Sequence, residues 1–324
     1  MSNTKNQGLQ ILRIFACVAV FIVHFGQRME FSGLLGTVTD YGKYGTRLFF
    51  LLSGFLAAKS ILGKPTFNVK EYYIKRAIRI LPLYYAVILF FFLTETLIWR
   101  VIPEDSLKLG WSRYVFLLNG IVGSDEQFWS NLGATWTIPV FCLFYLIVPW
   151  MMKLIKDLRS AAVAFAVSAV VSVLCLKYCN DNLLAVRKMS IFFLGIMIYM
   201  LNTKKDKRIF AAVAVSAIIV MAIADAKIAY IIVLLLALLL LAMKDADICF
   251  SEKWAKIIDV LDEHSYTLYL AQGIIFCGFV DKLWIPMKYR AAVILLTTIL
   301  LTYLMHRFVE KPAQRVLTKK LLKK

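Results

Sequence analysis

The sequence predicts an all-α, polytopic membrane protein of about ten transmembrane helices with both termini in the cytoplasm. Hydrophobic residues make up 61% of the 324 positions and mean hydropathy is +0.73, whereas a soluble domain is usually about half apolar. Apolar runs of roughly 17 to 22 residues, the length a bilayer core requires, recur along the whole chain. The loops between them alternate in charge: 23 Lys and Arg fall in one set of alternate connections against 12 in the other. Because Lys and Arg accumulate on the cytoplasmic side, and an even number of spans returns the chain to its starting side, both ends are expected there.

Taken in order, the spans are expected near residues 9–26, 45–62, 82–99, 133–154, 160–177, 188–201, 208–223, 228–243, 264–283 and 289–309. The first is preceded by a single early lysine, Lys5, has no small-residue cleavage site and carries charge, so it reads as a retained span rather than a signal peptide. The sixth and seventh are short, as tilted or broken helices would be. Residues 111–123, "WSRYVFLLNGIVG", suit an amphipathic helix lying in the interface. They belong to the longest non-membrane stretch, 100–132, which falls on the outer side and is a candidate lid or acceptor-binding loop.

The net charge of +18 raises the question of nucleic acid. The basic residues are nevertheless split among short loops and form no nucleic-acid motif, so membrane orientation explains them better. Six cysteines show no CxxC pairing and mostly fall within spans, where they pack as small apolar residues; Cys175 and Cys179, one turn apart near an outward end, are a candidate disulfide, although an i, i+4 pair on a regular helix is poorly aligned for one. No metal site is expected, since His24, His264 and His306 have no ligand-like spacing.

The first span, "LQILRIFACVAVFIVHF", contains Arg13 and His24, groups that a bilayer interior tolerates only with compensation. Eleven residues on a helix place the second about 20° around and about 16 Å along from the first, so the two share one stripe. Such a stripe suits an elongated anionic molecule. His24 reads either as a packed polar residue bonding neighbouring helices or as a general base for a hydroxyl proton. Arg13 either snorkels to inner headgroups or binds phosphate through its planar donors.

Before the third span, "EYYIKRAIRILPLYY" carries Lys75, Arg76 and Arg79, the arginines three residues apart on one helical face. The cluster is denser than orientation requires and suits a cytoplasmic phosphate site. In the second span, Ser53 and Gly54 either allow close helix packing or leave room for a pantetheine or acyl group. Arg47, at the outer end of that span, needs a partner if buried; Asp40 and Glu95 are options.

Arg13 and His24 with ten residues between them, "LFFLLSGFL", then Arg76 and Arg79 before "ILPLYY" resemble the membrane acyltransferase-3 family. "ATWTIPVFCLFYLIVP", "HSYTLYL" and "FVEKP" extend the likeness through nearly the whole chain. The resemblance implies one membrane acyltransferase domain over residues 1–315 and a short basic cytoplasmic tail over 316–324, in the plasma or inner membrane of a bacterium. It implies an O-acyltransferase that moves acetyl from acetyl-CoA to a hydroxyl of an envelope polysaccharide or glycolipid, including lipid-linked sugars, among membrane lipids and with no permanently bound cofactor. By the same carry-over His24 is the base, Arg13 assists donor or site organisation, Arg76 and Arg79 with Lys75 bind the donor's phosphates, and Ser53 and Gly54 line the site. Many relatives have one or two glutamates where this chain has Phe141 and Cys142, and a histidine where it has Gln272, so roles at those positions do not transfer. Many also bear an extra extracytoplasmic hydrolase-like domain not seen here, and a stand-alone enzyme is expected. Two rival readings are a transporter or flippase whose path Arg13 and His24 line, with Pro139 as the clear mid-span proline, and a noncatalytic scaffold.

Overall fold

The computed structural model describes residues 6–98, 112–119, 135–179, 183–202, 229–246, 250–280 and 285–322, with scattered positions between 206 and 219 and at 248 and 283. Among them helices and their connecting turns make up the chain, with no strand. The helices are α1 (Gln7–Arg28), α2 (Gly33–Asp40), α3 (Gly45–Leu62), α4 (Val69–Leu93), α5 (Thr137–Leu154), α6 (Leu158–Tyr178), α7 (Leu184–Tyr199), α8 (Ala229–Lys244), α9 (Glu252–Gly273), α10 (Met287–Met305) and α11 (Lys311–Leu321). Single π-helical turns follow α4 (Thr94–Ile98), α9 (Ile274–Val280) and α10 (His306–Glu310).

Among the described residues six stretches are long and apolar enough to cross a bilayer: Gln7–Arg28, Gly33–Leu62, Val69–Ile98, Thr137–Leu154, Leu158–Tyr178 and Met287–Leu321; Ala229–Lys244 is a shorter apolar helix. α7 has only 16 residues, short for a full span. α9 carries Asp259, Asp262 and Glu263 around its middle. The expected span 208–223 and the outer stretch 100–132 lie largely outside the described residues. α4 begins at Val69, thirteen residues before the expected span, because Asn68 caps it by accepting from the Glu71 backbone N–H. Lys75, Arg76 and Arg79 are therefore helical. The helix runs on through Pro82, while Pro139 sits harmlessly in the first turn of α5. α2 was not anticipated, and the basic residues expected as a tail continue the chain as helix α11.

The chain divides into two compact units, residues 1–16, 44–67 and 143–262, and residues 17–43, 68–142 and 263–324. In the first, α3 and α7 meet backbone to backbone. A Cβ on Gly54 would lie 2.0 Å from the Phe192 carbonyl oxygen, and one on Gly195 would lie 2.1 Å from that of Leu51. Close approach of this kind replaces the hydrophobic drive that lipid does not supply. It lets Phe192 stack on Phe144 at 4.2 Å and contact Phe50 at 4.8 Å. On α6 the opposite holds: Val163, Val167, Val170 and Leu174 lie exposed along one stripe, as a lipid-facing surface requires. Asp157 stops the preceding loop by capping α6 in a reciprocal box with Ser160. These hydrogen bonds hold its carboxyl below the ordinary aspartate range.

In the second unit, the segment "HSYTLYL" of α9 resolves into a ladder of side-chain bonds. The Tyr266 hydroxyl donates to the Ile80 carbonyl at 2.8 Å, Tyr269 shares a 2.8 Å bond with Thr137, and the Ser265 carbonyl accepts from the Cys17 thiol at 3.2 Å. α9 is thereby tied to α4, α5 and α1. The end of α1 is fixed separately. Glu30 adopts φ 56°, the left-handed conformation that closes a helix, and the Phe31 N–H returns to the Gly26 carbonyl at 3.0 Å. Arg290 of α10 donates to the Arg28 carbonyl at 2.8 Å, a cation at the negative end of the helix.

Candidate functional site

His24 sits one turn before the end of α1, half-buried. Its Nδ1 lies 3.4 Å from Gln27 Oε1, and its ring packs 5.9 Å from that of Phe276, which Phe21 also touches. An Nδ1–H donated to the Gln27 carbonyl leaves the lone pair on Nε2, which has no partner among the described residues. That tautomer is the one whose Nε2 can accept a proton, and the Phe276 ring packs beside it. Gln27 is a neighbour of His24 that the sequence reading did not name. Its spacing of three from His24 on one helix was the available signal.

The cationic cluster of α4 has a different surrounding. Arg79 Nη1 lies 3.2 Å from Glu310 Oε1 and its guanidinium 5.9 Å from the Tyr266 ring centroid, with the side chain 41% exposed. Arg76 lies 5.2 Å over the ring of Tyr72, and Lys75 pairs with Glu71 one turn away. Glu310 is buried. Its carboxylate also takes His306 Nδ1 at 2.9 Å, Gln314 Nε2 at 2.9 Å and a bond from the Thr267 hydroxyl. The His306 ring packs tilted against that of His264 at 4.0 Å, and its Nε2 lies 3.5 Å from Glu263, where Lys311 also arrives at 3.1 Å. The π-helical turn at His306–Glu310 carries both the buried histidine and the buried acid of this network. The glutamate of "FVEKP" therefore fixes one edge of Arg79, and other guanidinium donors remain for a ligand.

In the other unit, Arg13 Nη2 meets Asp262 at 2.8 Å, and Gln10 bridges Asp259 at 2.8 Å and Asp262 at 3.2 Å. Arg13 is 33% exposed and Asp262 10%. The arginine is held by a carboxylate from α9, a partner that the one-helix stripe argument had no means of naming. Ser53 and Gly54 lie mid-way along α3, with Gly54 against the α7 backbone. Arg47 lies 4.8 Å over the Tyr44 ring, while Asp40, one of its expected partners, pairs with Lys43. Cys175 and Cys179 are free thiols. Gln272, at 1% exposure, is fully buried, and neither of its amide atoms has a hydrogen-bond partner among the described residues. His24, Arg76, Arg79 and Lys75 thus belong to one unit, and Arg13, Ser53 and Gly54 to the other.

Residues 6–307 match the family model of acyltransferase-3, described as an acyltransferase domain. No curated protein and no solved structure matches the chain.

Proposed function

Because the chain belongs to the acyltransferase-3 family, we propose that it is an integral-membrane O-acyltransferase moving acetyl from acetyl-CoA to a hydroxyl of an envelope polysaccharide or glycolipid. The observation that carries this reading is His24, whose Nδ1 faces Gln27 while Nε2 has no partner among the described residues. In the reaction, Nε2 takes the proton of the acceptor hydroxyl as its oxygen attacks the thioester carbonyl. The tetrahedral species collapses with cleavage of the carbon–sulfur bond, and the imidazolium returns its proton to the CoA thiolate. The products are an ester and free CoA thiol, with His24 restored.

Arg76 and Arg79, with Lys75, take the donor's phosphates. Glu310 occupies one edge of Arg79, which orients the guanidinium without consuming it. Arg13 serves organisation rather than direct donor contact, since Asp262 engages it. Ser53 remains a candidate for lining the donor path, with Gly54 beside it. Helix α4 is continuous through Pro82, so it lends the transporter reading no broken helix.

The test is envelope-glycan acetylation in cells carrying His24→Ala or His24→Gln, with membrane insertion verified. Loss of the acetyl mass increment on the glycan is expected. Unchanged acetylation would sink the catalytic assignment. In the purified protein, Arg76→Ala with Arg79→Ala is expected to weaken CoA binding at least tenfold, and unaltered CoA affinity would remove the donor site from α4.

A further inference from the structure

The buried amide of Gln272 on α9 is a group that the chemistry described so far does not use. Its nitrogen and its oxygen both lack a hydrogen-bond partner among the described residues, and folded chains rarely leave a buried polar group so. Thr298 and Thr302 of α10 also keep an orphan hydroxyl. A hydroxyl, however, can rotate onto a carbonyl of its own helix, as Thr297 does onto Val293 at 2.6 Å. A glutamine carries two N–H donors and a carbonyl acceptor at the end of a longer side chain, and one rotation does not satisfy them. Its neighbours along the chain, Ala271, Ile274, Ile275 and Phe276, are apolar and buried.

The position of Gln272 gives the amide a use. Cys17 of α1 reaches the Ser265 carbonyl of α9 at 3.2 Å, and further along the Phe276 ring packs 5.5 Å from Phe21 and 5.9 Å from His24, both again on α1. α1 and α9 thus lie side by side over this stretch, and Gln272 falls between the two contacts. Ser265 and Gln272, seven residues apart, are within about 20° of one another on a helix, and Phe276 follows one turn, about 6 Å, beyond. The regular helix ends at Gly273 and a π-helical turn begins at Ile274, a departure frequent at functional sites. The amide therefore stands on the side of α9 that faces α1, one turn before the ring that packs on His24.

We infer that Gln272 is the oxyanion donor of the acyl transfer, its Nε2–H directed at the thioester carbonyl oxygen. This rests on acyl transfer at His24, as proposed above. As the acceptor oxygen bonds to the carbonyl carbon, the carbonyl π pair moves onto the carbonyl oxygen, and the amide N–H donates to that oxyanion while keeping its proton. His24 Nε2 meanwhile holds the acceptor's proton. Collapse re-forms the carbonyl, breaks the carbon–sulfur bond and passes the proton from His24 to the CoA thiolate. A neutral amide fixed in apolar surroundings suits the task, since it meets the developing charge without having to reorganise at the moment of reaction.

The test compares the wild type with Gln272→Met, which keeps the side-chain length and removes the N–H donors, in full-length protein reconstituted in vesicles. Single-turnover transfer from acetyl-CoA to a glycan extract should fall about 10²- to 10³-fold, the usual effect of losing one oxyanion donor. CoA affinity should be unchanged and thermal stability no lower, because an orphan amide gives way to an apolar group of like shape. The infrared carbonyl stretch of acetyl-CoA, isotope-labelled at the acetyl carbonyl and bound without acceptor, should lie at lower frequency on the wild type than on the variant. Gln272→Leu serves the same comparisons if Gln272→Met does not fold. Equal transfer rates or equal stretch frequencies in wild type and variant overturn the assignment, as does loss of stability and CoA affinity in both variants, which would give the amide to packing. His24→Gln should lose transfer and keep the lowered stretch. A lowered stretch in a fully active His24→Gln would overturn the base and support the oxyanion donor, whereas failure of the wild type to bind acetyl-CoA would overturn both.

Discussion

Substituting Gly54 by alanine is the sharpest perturbation of the fold. The added Cβ would stand 2.0 Å from the Phe192 carbonyl oxygen, where ordinary contact begins at 3.4 Å, so α3 and α7 must part by about 1.4 Å. Backbone cannot swing aside as a flexible side chain would. The cost has two sources: overpacking of a close-packed site, about 1–3 kcal/mol, and the loosened stacking of Phe192 on Phe144 and Phe50. A loss of about 3 kcal/mol, at the top of the overpacking range, is therefore expected, roughly a hundredfold in the folding equilibrium. The assay is thermal aggregation of a fluorescent fusion in detergent, followed by size exclusion. Gly195→Ala, whose Cβ would meet Leu51 at 2.1 Å, should cost a similar amount, and the double variant less than the sum, because one separation relieves both clashes. A Gly54→Ala protein of wild-type stability with a raised acetyl-CoA KM would refute the packing reasoning and give Gly54 to the donor path.

Three further outcomes follow from the other buried or capped groups. Arg13→Ala should destabilise by about 1–2 kcal/mol, less than the 3–5 kcal/mol of a fully buried pair because Arg13 is 33% exposed; equal melting of Arg13→Ala and wild type would deny the Asp262 anchor. Glu310→Gln keeps the shape but turns one of the two accepting carboxylate oxygens into an NH2 group and removes the charge that pairs with Arg79, so the acetyl-CoA KM should rise about tenfold with kcat little changed, about the low end of one charge-assisted bond; a fall in kcat at constant KM would place Glu310 in the chemistry instead. Asp157→Ala should lower the melting temperature at neutral pH. The depressed folded-state pKa means this contribution is complete above the unfolded value of 3.8 and disappears as pH falls through the lower folded value. The gap between wild type and variant must then narrow on acidification, and a constant gap would contradict the cap.

How far the sequence could be read depended on whether an interaction was local. Hydropathy located α3 at residues 45–62 without error and α6 to within two residues, since a span is a property of its own composition. Asn68 and the start of α4 were missed because a polar cap lies in a segment with no apolar run to announce it. His24 and Gln27 share one turn and could have been paired from spacing. Arg13 and Asp262, 249 residues apart, could not, and neither could Arg79 and Glu310: no periodicity in one helix names the carboxylate that a distant helix brings. The motif "HSYTLYL" was visible as a pattern, but its meaning, three hydroxyl or carbonyl contacts to three other helices, exists only in the folded chain.

The most direct test is single-turnover transfer from isotope-labelled acetyl-CoA by the purified protein in vesicles, with a glycan extract as acceptor, comparing wild type with His24→Gln. The wild type is expected to yield labelled ester and free CoA in equal amounts. The variant should bind CoA with unchanged affinity and transfer at least a hundredfold more slowly, within the range that general-base removal causes, about 10² to 10⁴. Equal transfer rates in the two proteins would contradict the assignment of His24 as the base.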